Sequence, residues 1–569
     1  MNVEATSAPT VSQALVRCLA DLGVRHAFGV SGGGIAAVWA ALSASGIRVG
    51  HFRHESGAVF AAIEAYFATG EPVVVFTTTG PGLTNALTGL LAARDEGAKV
   101  ILVAGSTAAA NRGRWAIQET GADAITAGLF HLAATLGSAD ALPQIMRRIA
   151  NGLRRPGGFV CHLSLPTDLQ SARAPALPCQ DGAQDDPVPP CDQLLARCAD
   201  LLEPGVAIWV GFGARHAAGP IRALAERLGA PVMCSPRAKG VFPEDHRLFV
   251  GVTGMGGHGS VLSYMETHRP ERILVLGTRL GEPTSLWGPA MVPEHGFIHV
   301  DIDPNVPGVA FPHAPVVPVC ADIAAFVTAL LACLPGPDRA LPPDLPKPHV
   351  AALPLRETGR VRPQALMAAI QRIVIDRYDG LVVAECGNAF TWATHLLRFR
   401  APGRYRVSTG VGAMGHCAAG VVGAAVATGR KTVAIVGDGA MLMTNEINTA
   451  VALGAPAVWI VLNDARYNMC EQGMAALGLS ADASIPPVNF ALLARALGAD
   501  GTMIAGEQAL DAVIAAALIS PGPFVIDVRI DATCPAPSFG RNRGLRRQIP
   551  AWAETGLETR PGLESHHGS

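Results

Sequence analysis

A chain of 569 residues is too long for one hydrophobic core and divides into about three domains. Apolar residues make up 49% and charged residues 16%, which excludes a disordered chain and fits well-buried α/β domains with a large subunit interface. The net charge of −2 gives no general attraction to nucleic acid or a membrane surface, and no uninterrupted apolar run reaches membrane length.

Residues 1–10 lack the basic-then-apolar pattern of a signal peptide. The 12 cysteines are scattered without CxxC or Cys/His spacing, which reads as a reduced, cytoplasmic chain with no zinc site. Val11, Leu15, Leu19 and Leu22 share one face of a first helix, which Gly23 ends. A strand over 26–30 leads into Ser31-Gly32-Gly33-Gly34 and a second helix, without the full GxGxxG spacing of a dinucleotide site. Glu55, in Arg53-His54-Glu55-Ser56-Gly57-Ala58, opens a helix that continues through Phe60, Ala61 and Ala62. A carboxylate in so apolar a context is costly without a partner. The alternative is a solvated glutamate favoured by the helix dipole. A strand over 73–77 runs into Gly80-Pro81-Gly82 and Asn85, and another spans 100–104. Gln118 lies in Ile117-Gln118-Glu119. A strand over 159–165 closes a first domain assigned to residues 1–175, and residues 171–190 read as a linker rich in Pro, Ala and Asp.

A central domain, 191–334, alternates strands at 206–210, 231–234, 272–276 and 297–300 with helices, in a Rossmann-like pattern. Its Gly211-Phe212-Gly213 turn lacks a third glycine. Residues 334–354 form a second, proline-rich linker before a C-terminal domain, 355–550, and a tail, 551–569. A strand over 381–384 ends at Glu385-Cys386-Gly387-Asn388, with Phe390 and Trp392 beyond. Open parallel sheets bind ligands at such strand ends, so these aromatics are either core or substrate wall. Residues 410–415 read Gly-Val-Gly-Ala-Met-Gly.

The most informative stretch is 432–474. A strand over 433–436 turns at Gly437-Asp438-Gly439 into a helix carrying Asn445, Glu446 and Asn448, and a strand over 458–462 ends at Asn463-Asp464. The glycines allow close backbone approach, and the following helix N-terminus offers N–H groups to an anion such as phosphate. Asp438 and Asp464 are hard oxygen ligands that suit magnesium held with phosphates. These residues read as a metal–diphosphate site; a ligand-free doubly wound turn is the alternative. Further on, Arg541, Arg543, Arg546 and Arg547 form either a solvated basic tail or a lid over an anionic or phosphopantetheine-bearing substrate.

Gly437-Asp438-Gly439, a helix, a strand and Asn463-Asp464 together resemble the signature of thiamine diphosphate-dependent enzymes, and the resemblance extends to about residue 535. It implies an α/β fold of three doubly wound parallel-sheet domains: pyrimidine-binding, central Rossmann-like and diphosphate-binding. It implies Mg²⁺ held by Asp438, Asp464 and the Arg466 carbonyl, with Gly437, Gly439, Ala440, Tyr467, Asn468 and Met469 around thiamine diphosphate. Glu55 would bond N1′ of the aminopyrimidine beside Gly80 and Asn85, and Gln118 would face the active site as a second catalytic residue. Met414 would sit under the cofactor's bend, and the Gly412 carbonyl would accept from its 4′-amino group. The implied substrate pocket comprises Ile117, Gln118, Asn388, Phe390, Gln472 and Gly473.

Met469 and Gln472 match a tract of the acetolactate synthase branch, whereas Gly473 stands where that branch carries tryptophan, which implies room for a bulkier acceptor or donor. Asp464 stands where the family more often has Asn. The function implied is carboligation: a 2-oxo acid loses carbon dioxide and its acyl carbon passes to a carbonyl acceptor. A 2-oxo acid or acyl-CoA decarboxylase or lyase on the same cofactor is the first alternative, and a non-catalytic binding or regulatory paralogue the second. In the family the Glu55 domain of one chain faces the Asp438 domain of another, which implies a homodimer as the minimum active unit, with a homotetramer as a larger form. Some relatives bind FAD in the central domain, and others bind a nucleotide or nothing. Gly211-x-Gly213 does not establish FAD, and that domain is read as structural.

Overall fold

The computed structural model describes residues 8–121, 128–177, 187–188, 190–202, 205–334, 339–340, 342–351, 353–443 and 446–537. The arginine-rich segment 541–547, the tail 551–569 and Asn445 lie outside the described residues. Three six-stranded parallel sheets organise the chain. The first holds β1 (His26–Val30), β2 (Arg48–His51), β3 (Val73–Thr77), β4 (Lys99–Ser106), β5 (Leu132–Thr135) and β6 (Phe159–Pro166), in the order β2-β1-β3-β4-β6-β5. The second holds β7 (Val206–Val210), β8 (Val232–Cys234), β9 (Phe249–Val252), β10 (Arg272–Leu276), β11 (Phe297–Asp301) and β12 (Val316–Cys320), in the order β12-β11-β10-β7-β8-β9. The third holds β13 (Leu381–Ala384), β14 (Tyr405–Val407), β15 (Thr432–Gly437), β16 (Ala457–Asn463), β17 (Asp500–Ile504) and β18 (Phe524–Arg529), in the order β14-β13-β15-β16-β18-β17.

The first and third sheets thus share one strand order, and the second has the doubly wound order of dinucleotide folds. Central strands such as β3, β7 and β16 are buried throughout, because helices cover both faces of a parallel sheet. Seven strands have no counterpart among those predicted: β2, β5, β9, β12, β14, β17 and β18. The single helix expected after Gly439 is two pieces, Asp438–Met441 and Glu446–Leu453. The break lets the buried Glu446 carboxylate accept from the backbone N–H groups of Arg53 and His54, at 3.1 and 3.2 Å. The second linker packs on the central domain, where Arg339 N donates to Arg227 O at 3.0 Å and Lys347 Nζ to Phe249 O at 2.9 Å.

The Glu55–Thr69 helix lies against the His416–Thr428 helix, so the first and third domains share one apolar core. Both helices are apolar nearly all round, which is the pattern of a helix buried on every side. A buried charge cluster joins all three domains beside this pair. Arg406 holds Glu64 bidentately, with both N–O distances 3.0 Å, and His416 Nε2 is 3.0 Å from Glu64 Oε1. Arg237 of the central domain pairs with Glu96 at 2.5 Å. No helix among the described residues is long and apolar enough to cross a membrane.

Candidate active site

In the third sheet β13 and β15 are neighbours at the point where the strand order reverses, and a crevice opens beyond their carboxyl ends. β15 delivers Asp438 to that crevice. Its Oδ1 accepts from Gly439 N and its Oδ2 from Ala465 N, both at 2.7 Å. Ala465 takes a φ of 58°, a left-handed conformation that costs a non-glycine residue energy and persists here inside the Asp438–Asp464 turn. β16 delivers Asp464, whose Oδ2 accepts from Asn468 Nδ2 at 2.6 Å. Both carboxylates are nearly buried, at 4% and 7% exposure. Burial pushes the Asp464 carboxyl up to about 6; the Asn468 hydrogen bond opposes this rise and the Asp438 charge adds to it. The nearby Arg466 is engaged by Glu471 at 3.0 Å. Two neighbouring carboxylates that repel each other supply hard oxygen ligands and fit a divalent cation such as Mg²⁺, whose charge would relieve their repulsion.

The cleft above these carboxylates measures about 370 Å³. Of the residues singled out in the sequence, Asn388, Phe390, Gly412, Met414, Gly437, Asp438, Gly439, Ala440, Asp464, Arg466, Tyr467, Asn468 and Met469 line it together. Gly439 is required sterically: a Cβ there would lie 2.5 Å from the Tyr467 ring and 3.3 Å from Met414 Cε. Small backbone, ring and thioether therefore form one tight cradle, which fits a flat cofactor carrying an anionic tail.

A second group forms in the first domain. Glu55 is 6% exposed and its Oε2 accepts from Asn85 Nδ2 at 3.1 Å. His54 caps the helix, its Nδ1 accepting from Ser56 N at 3.2 Å. Gly80 touches the Gln118 loop, since a Cβ on it would lie 2.2 Å from Gln118 O.

Several expected neighbours do not meet in one chain. No described residue of the first domain lines the cleft, so Glu55, Gly80, Asn85, Ile117 and Gln118 stand apart from Asp438 and Asp464. Ile117 is 89% exposed, because its loop projects from the domain surface. Gln472 and Gly473 also lie outside the lining. One helical turn beyond Met469, Gln472 Oε1 instead accepts from Ala536 N at 3.3 Å. Sequence reasoning missed Met255 and Pro283, which line the cleft from the central domain. It also gave no role to Glu446, although an acid among apolar residues was the same signal that marked Glu55.

The central domain's glycine turn does not fit a dinucleotide pyrophosphate. Gly211 N and Gly213 N donate to Leu276 O and Gly277 O at 2.8 and 2.9 Å, and a Cβ on Gly211 would lie 2.1 Å from Gly277 O. The turn closes on the neighbouring strand instead of presenting its N–H groups outward.

Comparison with known proteins agrees with this geometry. Three models of the thiamine pyrophosphate enzyme family match in sequence order: the N-terminal TPP binding domain at residues 9–126, the central domain at 202–330 and the C-terminal TPP binding domain at 385–528. An acetolactate synthase of Mycobacterium bovis is 29% identical over 92% of this chain and 88% of its own. An acetolactate synthase large subunit of Parasynechococcus marenigrum is 29% identical over 98% and 94%. A solved structure from Mycobacterium smegmatis, described as a candidate thiamin diphosphate-dependent enzyme, superposes with a TM-score of 0.80 over 92% of this chain and 100% of that one, at 21% identity. The chain therefore belongs to the thiamine pyrophosphate enzyme family, as an acetolactate synthase-like enzyme that acts on carbon–carbon bonds.

Proposed function

We propose that this enzyme decarboxylates a 2-oxo acid donor and joins the acyl carbon to a second carbonyl compound. The observation that carries this reading is the buried Asp438–Asp464 pair at a sheet switch point, in a chain that also keeps Glu55 buried. The acetolactate synthase names of the relatives favour carboligation over simple decarboxylation. In this reading the Asp438 and Asp464 side chains and the Arg466 carbonyl hold Mg²⁺. Gly437, Gly439, Ala440, Tyr467, Asn468 and Met469 enclose the diphosphate. Bound thiamine diphosphate supplies the electron sink that decarboxylation requires. Met414 would lie against the cofactor, and the Gly412 carbonyl would accept from its 4′-amino group. Glu55 holds a proton at N1′ of the aminopyrimidine, with Asn85 fixing its Oε2, and Gln118 arrives on the same domain.

The reading takes Glu55 from a second copy of the chain, which makes a homodimer the minimum active unit and a homotetramer its larger form. Exposed apolar side chains near both half-sites support a covered surface: Trp115 at 99%, Ile117 at 89% and Met443 at 62% exposure. Every described cysteine is a free thiol, which supports a reducing, cytoplasmic setting.

The test incubates purified protein with thiamine diphosphate, Mg²⁺ and a panel of 2-oxo acids, with and without carbonyl acceptors. Products of mass donor plus acceptor minus carbon dioxide are expected. Aldehyde alone across the panel would replace the carboligase by a decarboxylase. Failure to bind the cofactor would leave a binding paralogue.

A further inference from the structure

The cleft differs chemically between its floor and its wall. At the floor, where β15 and β16 end, stand Asp438, Asp464 and Arg466, the only charged lining residues among the described residues. The wall carries no formal charge: Met255 and Pro283 from the central domain stand with Phe390, Met469 and Ile530, and its polar members, Asn388, Ser408 and Thr409, are neutral.

The central-domain residues are held there firmly. Met255 N donates to Pro283 O at 2.9 Å. Gly254 has a φ of +69°, and a Cβ on it would lie 2.2 Å from that same carbonyl. His395 Nδ1 pairs with Gly257 O, and His258 Nε2 with His395 O, each at 2.9 Å. His258 Nδ1 in turn accepts from Val252 N at 2.9 Å. Burial holds the His258 imidazole down at about 3, so these contacts stay neutral at working pH. The loop is thus pinned to the helix that bears Asn388 and Phe390, and its apolar side chains are a fixed part of the wall.

An unpaired carboxylate brought against such a wall loses its hydration without compensation. We propose that the second substrate, the compound joined to the donor, is an uncharged aldehyde or ketone with an apolar substituent packed on Met255 and Pro283, and not a second 2-oxo acid. This rests on the carboligase reading above. For an aldehyde the step is R–CO–COO⁻ plus R′–CHO plus H⁺ giving R–CO–CH(OH)–R′ plus carbon dioxide. The donor's C–C bond to its carboxylate breaks, the acyl carbon bonds the aldehyde carbon, and the aldehyde oxygen takes the proton.

Matched acceptors test this. Benzaldehyde competes with 4-formylbenzoate, and butanal with 4-oxobutanoate, in the presence of a donor panel, thiamine diphosphate and Mg²⁺. Carbon dioxide release and product masses are read in the same vessels. The neutral member of each pair is expected to win by about tenfold or more in kcat/KM. Met255→Arg and Pro283→Arg, made separately, are expected to erase or reverse the ratio, which stays readable when the total rate falls. Calorimetric titration of the four acceptors without donor is expected to give the same order of affinity. Equal or better use of the carboxylate-bearing members by the unaltered protein would overturn the proposal, while carbon dioxide release upholds the underlying reaction. If carbon dioxide is released without adduct from any acceptor, calorimetry decides, and tighter binding of the carboxylates overturns the proposal. Absence of carbon dioxide from every donor overturns the carboligase reading and this proposal with it. If neither arginine variant folds, the wild-type ratio and the titration decide.

Discussion

The Glu55 carboxylate is buried, and its Oε2 is fixed by Asn85. A group so placed suits holding a proton at one atom of a bound ring. Glu55→Gln keeps the shape and the Asn85 neighbour but removes the exchangeable proton. Turnover is expected to fall by about 10²–10⁴, the range of general acid–base catalysis, with thiamine diphosphate still binding by calorimetry. Full turnover in that variant would remove Glu55 from the mechanism. Asp438 is different in kind, because in the proposed reading it meets a cation instead of a proton. Asp438→Ala is expected to weaken Mg²⁺-dependent cofactor binding by at least the roughly 10–100-fold that follows loss of an outer-shell partner. A chelator is expected to abolish activity of the unaltered protein, and Mg²⁺ with cofactor to restore it. Unchanged binding in Asp438→Ala would sink the metal assignment. The floor of the cleft was legible in the sequence because tight glycine turns and strand-end acids are local patterns. Met255 and Pro283 were not, since an apolar residue arriving from another domain carries no local mark.

At the scale of elements, the predicted strands are those with neighbours on both sides. The six strands at sheet edges, β2, β5, β9, β12, β14 and β17, all went unpredicted. They are short, and β12 and β17 alternate buried with exposed positions, so the continuous apolar run that marks an interior parallel strand is missing. β18 is the exception: it is interior, but the buried Asp527 interrupts its apolar run. The helix pair between the first and third domains was equally invisible, because contact between two apolar helices is a tertiary fact. Its closeness depends on Gly423, where a Cβ would lie 2.0 Å from Ala61 O. Backbone cannot yield there, so Gly423→Ala is expected to destabilise by about 1–3 kcal/mol through overpacking. Gly219, exposed in the Ala218–Leu228 helix with nothing near its added Cβ, is the control. There the same change is expected to stabilise by about 0.4–1 kcal/mol, because it restricts the unfolded chain. Thermal unfolding of both variants checks the opposite signs; two shifts in one direction would contradict the packing argument.

At the scale of the whole molecule, the three domains meet on buried charge. Arg406 of the third domain holds Glu64 of the first and stacks on Phe67 at 4.0 Å and on Phe212 of the central domain at 4.8 Å. Arg237 of the central domain holds Glu96 of the first and lies 4.3 Å from the same Phe212 ring. Burial alone would raise the Glu64 carboxyl, but the Arg406 guanidinium and His416 outweigh it and hold it at about 2, against an ordinary 4.5. Glu96 is lowered likewise, its burial outweighed by Arg237 and Arg406. A carboxyl depressed in the folded state binds its proton more weakly there than in the unfolded chain. Its stabilisation is therefore full above about 4.5 and is lost as pH falls from there towards about 2. The melting temperature of the unaltered protein is expected to drop across that window. Glu64→Gln leaves Arg406 buried with a weaker partner, so it is expected to cost roughly 3–5 kcal/mol near neutral pH, the range for breaking a buried pair. It is also expected to flatten the acid slope in part, because one of the two depressed carboxyls is gone while Glu96 remains. Circular dichroism melts of both proteins between neutral pH and the acid limit of solubility test the two effects together. A variant with an unchanged acid slope would show that Glu64 does not link the junction's stability to pH.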